Sequence, residues 1–257
     1  MTTVLVSGAS GIVGYGILKS LRQGDANLTL IGMTIYNDSV APGFCDILKI
    51  PPSTKDPLYI PWLKNVIKDL HVDIMIPGIE LDLYTWESHR EELEKEGCKL
   101  VLNNSALIAL CKDKWLFYKS LREKKLPCAI NSSLSNDFDF LHNTFGLPFL
   151  LKPRQGFGSQ GIILVDSRRI FNLHRAFIGN TLFAQEYIGT DEDEFTIAVF
   201  GDGCGSYTSN IVMRRKLSGQ GYTEKATVCE LPEGLHAINE LCIHFSPLGP
   251  TNFQFRL

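Results

Sequence analysis

The sequence has no uninterrupted apolar run of the ~18 residues needed to cross a bilayer. It also has no basic segment leading into an apolar one at its start, so neither a membrane span nor a signal peptide is expected. An excess of positive charge is missing too. Lys+Arg total 25 against 28 Asp+Glu, a net charge of −3, which excludes a chain-wide basic field for nucleic acid and leaves room only for a local basic site. The seven cysteines (Cys45, Cys98, Cys111, Cys128, Cys204, Cys229 and Cys242) contain no Cys-x-x-Cys pair, and the six histidines are scattered. A disulfide framework and a zinc site are therefore not expected, and a reducing, cytoplasmic setting fits. Internal repeats and low-complexity segments are absent. What remains is 257 residues, 44% hydrophobic and 21% charged. That composition excludes whole-chain disorder, and the length allows a large core in one or two domains.

The first part of the chain alternates between strand and helix signals. Val4-Leu5-Val6 is a short apolar run broken by Ser7-Gly8-Ala9-Ser10-Gly11, and Ile12 to Leu21 then shows helical spacing. Leu28 to Ile31, Val72 to Ile76 and Lys99 to Leu102 read as further strands. Pro61 to Leu70 and Trp86 to Glu96 read as helices, the second closed by Gly97. This alternation predicts a parallel sheet covered on both faces, over residues 1–104. After it, Asp113 to Lys125 reads as an amphipathic helix, and strands follow at 149–152, 162–165, 181–188, 194–200 and 207–213. Antiparallel hairpins are expected there. The final alternation Asn252-Phe253-Gln254-Phe255-Arg256-Leu257 reads as an unfinished strand.

Three motifs carry chemistry. The first is Gly8-x-x-Gly11-x-x-Gly14 between a strand and a helix. It reads either as a dinucleotide site or as a tight strand–helix turn. The end of the second strand, Gly32-Met33-Thr34, lacks the acidic residue a dinucleotide ribose needs, which favours the turn. The second motif is Lys152-Pro-Arg-Gln-Gly156-Phe-Gly158-Ser159-Gln-Gly161, flanked by strands. Glycines free backbone N–H groups to fold over phosphate oxygens, and a lysine supplies a point charge. No GK[ST] follows, so this is not a Walker A loop. The third is Ala184-Gln185-Glu186-Tyr187-Ile188-Gly189, whose backbone can meet an adenine edge. Glu194 follows, opening a strand as a candidate acceptor for ribose hydroxyls.

In their order these motifs resemble the ATP-grasp enzymes of the carbamoyl-phosphate-synthase large-subunit-like type. The resemblance runs through Cys111-Lys-Asp113-Lys114, LPCAINS (126–132), PFLLKPRQGFGSQG (148–161), AQEYIG (184–189), Glu194 and Asn252-x-Gln254. Before them come VLVSGASG, DPLYIPWL (56–63) and VDIMIPGIELDL (72–83), so it spans essentially the whole chain. It implies an α/β plus α+β architecture. Residues 1–104 would form a Rossmann-like pre-ATP-grasp domain that does not bind NAD. Residues 105–257 would form an ATP-grasp domain with a small lid at about 128–184. Lys114 and Lys152 would contact ATP phosphates beneath a mobile loop of Gly156, Gly158, Ser159 and Gly161. Gln185, Glu186, Tyr187 and Ile188 would read adenine, and Glu194 would bind ribose. Arg214, Arg215 and Lys216 would hold a phosphate or reaction intermediate, unless they form a solvated strand end. Gln254 would be the first Mg²⁺ ligand. The implied activity is carbon–nitrogen ligation, in which ATP activates a small-molecule carboxylate for attack by an amine or other nucleophile. No nucleic-acid or membrane partner is implied.

This sequence departs from the family pattern at three points. It stops before the segment carrying the family's E-x-N metal ligands, so the core is expected to be incomplete and inactive by itself. Glu80-Leu-Asp82 only approximates the family's acidic pair, and Gln254 is a neutral ligand. Two other classes stay open, a non-catalytic adenine-nucleotide-binding module and an NAD(P)-dependent oxidoreductase resting on the first glycine motif.

Overall fold

The computed structural model describes residues 1–156, 160–190, 192–219, 221 and 223–256. The chain forms two compact units, Met1–Leu102 and Asn103–Leu257. Among the described residues no helix is long and apolar enough to cross a membrane.

The first unit runs β1 (Thr3–Ser7), α1 (Ile12–Gly24), β2 (Thr29–Met33), β3 (Ile47–Lys49), α2 (Tyr59–Asp69), β4 (Ile74–Ile76), α3 (Glu80–Ser88), α4 (Arg90–Glu94) and β5 (Lys99–Leu100). Its sheet order is β3-β2-β1-β4-β5, with every pairing parallel. β1 is buried along its whole length, which is why Val4-Leu5-Val6 does not alternate with polar residues. The helix expected over 86–96 is instead two short ones. They are interrupted at His89, whose backbone leaves the helical region at φ −119°, ψ 19°.

The glycine motif of this unit is a packing device. A Cβ on Gly14 would lie 2.1 Å from the Gly8 carbonyl oxygen, and one on Gly78 would lie 2.1 Å from that of Ser7. Strand ends and helix start therefore close against one another. Buried Thr34 stands just after β2 and shares a 2.7 Å hydrogen bond with Ser10 Oγ. The Glu80/Asp82 pair also divides. Glu80 is exposed, whereas Asp82 is 2% exposed and accepts from Tyr59 Oη (2.6 Å) and Thr54 Oγ1 (3.4 Å). Trp86 Nε1 donates to Tyr59 Oη at 3.0 Å. Burial pushes the Asp82 carboxyl and the Tyr59 phenol above their ordinary values. Asp82 is a core residue, so no acidic pair is presented to a ligand there.

The second unit runs α5 (Ser105–Cys111), α6 (Lys114–Glu123), β6 (Ser132–Ser133), α7 (Phe138–Phe145), β7 (Phe149–Pro153), β8 (Ile163–Val165), α8 (Arg168–His174), β9 (Leu182–Glu186), β10 (Glu194–Asp202), β11 (Tyr207–Leu217), β12 (Thr223–Val228), α9 (Pro232–Phe245) and β13 (Leu248–Arg256). Two antiparallel sheets result, ordered β6-β9-β7-β8 and β12-β11-β10-β13. The first buries Phe149, Leu151 and Val165 against Phe138 and Leu141 of α7 and Phe171 of α8. The second buries Phe195, Ile197, Val199 and Val212 with Leu121 of α6 and Ile238, Leu241 and Cys242 of α9. Each large side chain so buried contributes roughly 1.5–3 kcal/mol.

Because side chains alternate across a strand, the other face of the second sheet carries a different set. In register, Glu194 lies opposite Arg256, Thr196 opposite Gln254 and Met213, and Arg215 is two residues beyond Met213. β11 runs four residues past the expected 207–213. That extension places Arg214, Arg215 and Lys216 inside a paired strand.

Candidate functional site

The site grows from the start of α6. Asp113 is its N-cap, accepting from the backbone N–H groups of Trp115 (2.9 Å) and Leu116 (3.3 Å). The same carboxylate receives Arg154, with Nη2 at 2.6 Å and Nε at 3.0 Å from Oδ2. Burial pushes the Asp113 carboxyl up. The guanidinium and the two N–H groups outweigh that and hold it below its usual range. Lys114 follows. Its N–H donates to the Arg154 carbonyl at 2.8 Å, and its Nζ donates to the Gly156 carbonyl at 2.5 Å. The helix start thus fastens the first residues of the glycine segment.

That segment joins β7 and β8, antiparallel partners with Phe149 opposite Val165 and Leu151 opposite Ile163. Gly156 has φ +121°, a conformation open to glycine. Gly161 has φ +73°, and a Cβ there would come within 3.0 Å of the Pro153 ring. Gly158 and Ser159 lie outside the described residues. Lys152, half-buried near the end of β7, has its amine pushed down to about 8. Burial is the largest cause, and the cations of Arg256 and Lys114 add to it against the opposing pull of Glu194. A buried lysine among other cations is a group whose charged form an anionic ligand would stabilise.

The residues at the end of β9 and just beyond it divide in two. The side chains of Gln185 and Glu186 are occupied within their own sheet. Gln185 Nε2 donates to Ser132 Oγ at 3.0 Å, and Glu186 accepts from Asn131 Nδ2 at 2.8 Å. Tyr187 and Ile188 turn toward β13 instead. The Arg256 guanidinium lies 5.4 Å from the Tyr187 ring centre, and Arg256 Nη1 donates to the Ile188 carbonyl at 3.3 Å. Glu194, 8% exposed, receives Arg256 Nε at 2.5 Å and Arg215 Nη2 at 3.4 Å.

The basic trio is not one cluster. Arg215 is 8% exposed on the Glu194 face, where its Nη2 also donates to Gln254 Oε1 at 3.0 Å. Its buried Nε finds no hydrogen-bond partner among the described residues. Arg214 and Lys216 are exposed on the opposite face, and the Arg214 guanidinium lies 5.4 Å from the Phe195 ring centre. Strand alternation therefore leaves Arg215 as the member that belongs with the others. Gln254 offers one neutral oxygen, already held by an arginine. Among the described residues no group of three or more His, Cys, Asp or Glu is placed to hold a metal.

Lys114, Lys152, Tyr187, Ile188, Glu194, Arg215 and Gln254 thus come together, and Arg256 joins several of them. Arg256 and Arg154 belonged to no sequence expectation. Arg154 could have been found as the fork-shaped cation inside the glycine motif. Arg256 could have been found from its place two residues beyond Gln254, which puts it on the same strand face.

The comparisons with known proteins agree with this fold. The chain superposes on N5-carboxyaminoimidazole synthetase from Staphylococcus aureus complexed with ADP, with a TM-score of 0.74 and 15% identity, covering 100% of this chain and 66% of that one. It superposes on the biotin carboxylase domain of the 2-oxoglutarate carboxylase of Hydrogenobacter thermophilus, in complex with MgADP, ADP and bicarbonate. There the TM-score is 0.73 at 14% identity, covering 98% and 60%. In sequence it is 30% identical over 138 residues to a probable alpha-L-glutamate ligase from Legionella pneumophila. That match covers 49% of this chain and 45% of the relative, so the chain spans about half the length of the curated relatives it matches. No family model matches. The structural likenesses show the fold alone, a mixed α/β architecture shared with these ADP-bound enzymes.

Proposed function

We propose that the chain is the nucleotide-binding part of an ATP-dependent carboxylate–amine ligase, with residues 1–102 as its pre-ATP-grasp domain. The observation that carries the reading is that Arg256 and Arg215 converge on Glu194, while Lys152, its amine pushed down to about 8 chiefly by burial, lies within electrostatic reach of Arg256, Glu194 and Lys114. In this reading Lys114 and Lys152 take the triphosphate. The Ile188 backbone meets adenine, Glu194 accepts from the ribose hydroxyls, and Arg215 turns its unmatched N–H toward the transferring phosphate or the carboxylate. The carboxylate oxygen attacks the γ-phosphorus, forming an acyl phosphate as the bond to ADP breaks. An amine then attacks the acyl carbon, phosphate leaves with its bonding electrons, and the amine gives up a proton. Such transfer needs positioning and neutralised charge more than a protein nucleophile. Mg²⁺ enters as the nucleotide's counter-ion, and no step here is assigned to it.

The solved neighbours carry ADP in their complexes, and the sequence relative is described as a glutamate ligase, which supports an amino acid as the amine. Assignment to the carbamoyl-phosphate-synthase-like subclass, as well as a cytoplasmic setting, rests on the sequence reading. Since the chain spans 60–66% of those solved structures, a whole ligase cycle is part of the proposal.

The test is to supply Mg²⁺, ATP and a panel of carboxylates with hydroxylamine, which intercepts any acyl phosphate as a hydroxamate. An ATP- and carboxylate-dependent hydroxamate that Lys152→Ala abolishes would support the ligase reading and overturn the inactivity expected from the sequence resemblance. Tight ATP binding with no hydroxamate across the panel would favour a binding module instead. The oxidoreductase alternative has little to stand on, because buried Thr34, rather than an acidic residue, follows β2.

A further inference from the structure

We propose that Arg256 is a positioning residue that couples adenine recognition to ribose recognition; this rests on the nucleotide-binding reading above. One guanidinium touches three of the expected nucleotide contacts. Its Nε donates to Glu194 Oε1 at 2.5 Å, its Nη1 donates to the Ile188 carbonyl at 3.3 Å, and its plane lies 5.4 Å from the Tyr187 ring centre. The register explains why. Glu194 and Arg256 are direct cross-strand partners at the start of β10 and the end of β13, and Ile188 lies just before β10. A charge-assisted hydrogen bond fixes the direction of a carboxylate, and the rigid fork of arginine lets one side chain serve two acceptors at set positions. With Oε1 bound by Arg256 and Oε2 receiving Arg215 Nη2 at 3.4 Å, Glu194 keeps the remaining lone pairs of its two oxygens for ribose hydroxyls. With the Ile188 carbonyl held from behind, its second lone pair is aimed at a donor such as the adenine amino group. Lysine cannot reproduce this, because it is a point charge without a fork.

The experiment measures the affinities of the 257-residue chain for ATP, 3′-deoxy-ATP and GTP by calorimetry, in the unaltered protein and in Arg256→Gln and Arg256→Lys. The unaltered chain is expected to prefer ATP to 3′-deoxy-ATP by about ten-fold, the size of one charge-assisted hydrogen bond. In Arg256→Gln that ratio should collapse to near one. In Arg256→Lys the ribose preference should survive while the preference for ATP over GTP shrinks by about ten-fold, since the ion pair is kept and the carbonyl contact is lost. Equal losses for ATP and 3′-deoxy-ATP, with an unchanged ratio, would mean that Arg256 only stabilises the fold, and would overturn the proposal while leaving nucleotide binding intact. If Arg256→Gln does not fold, Arg256→Lys decides alone, and an unchanged ATP-over-GTP preference overturns the coupling. Failure of the unaltered chain to bind ATP at all would overturn both this proposal and the reading on which it rests.

Discussion

At the scale of single residues, Lys152 sets the clearest expectations. Its amine sits at about 8 in the folded chain against an ordinary 10.5. Between those values the unfolded chain binds more protons than the folded one, so folding stability rises as pH rises through that window. Below about 8 the full cost of the buried charge is present. Lys152→Met removes a desolvated cation and is expected to raise the melting temperature at pH 7, measured by calorimetry without nucleotide. Lys152→Ala should lower ATP affinity about ten- to a hundred-fold, the worth of a charge-assisted phosphate contact, and affect adenosine far less. The preference for ATP over adenosine should itself fall as pH rises above about 8, because only the protonated amine attracts phosphate. A pH-independent ratio would place Lys152 away from the phosphates. The trio Arg214, Arg215 and Lys216 shows the limit of residue-level reading. Adjacent in sequence, they point to opposite faces, and only the register of β11 against β10 tells them apart.

At the scale of elements, α6 and the strand–glycine–strand unit depend on one carboxylate. Asp113 caps α6 and holds Arg154, which lies between Lys152 and Gly156. Asp113→Ala removes both roles and is expected to cost about 2 kcal/mol, roughly half from the cap and half from the guanidinium left without its partner. Asp113→Asn, which keeps the cap, should recover about half. Urea unfolding of the three proteins checks this, and equal costs for both variants would show that the cap contributes nothing. The ion pair is lost as pH falls through the Asp113 carboxyl's ordinary range and below it, so the difference between variants should shrink in acid. The glycine motif of the first unit separates packing from chemistry in the same way. Gly14→Ala drives a Cβ into the Gly8 backbone and should cost about 3 kcal/mol or more, whereas a Cβ at Gly16, on the same helix, meets nothing within 4 Å. Gly16→Ala should stabilise by about 0.5–1 kcal/mol. Thermal melts that rank the two variants the other way would contradict the packing account.

At the scale of the whole molecule, the sequence made legible whatever depends on local order. The strand–turn–helix alternation of the first unit, the lysine–glycine segment between two strands and the strand opened by Glu194 all follow from patterns within about ten residues. Pairings across long stretches of chain were not legible. Arg256 meets Glu194 across 62 positions, and Arg154 meets Asp113 across 41. No periodicity announces such partners. The burial of Asp82 beneath Tyr59 and Trp86 was hidden for the same reason, because three polar groups on α2 and α3 satisfy one another only after the helices pack. Helix α9 went unread as well, although its first turn carries Pro232 and its inward residues recur at 238, 241 and 242. The central claim is that the gathered cations and Glu194 form an adenine-nucleotide site, and that the glycine motif of the first unit does not form a dinucleotide site. One calorimetric titration of the 257-residue chain with ATP, adenosine and NADPH tests it most directly. The account predicts that ATP binds, that adenosine binds more weakly, that NADPH gives no saturable heat, and that Lys152→Ala narrows the gap between ATP and adenosine by about ten- to a hundred-fold. Saturable NADPH binding with ATP silent would contradict it.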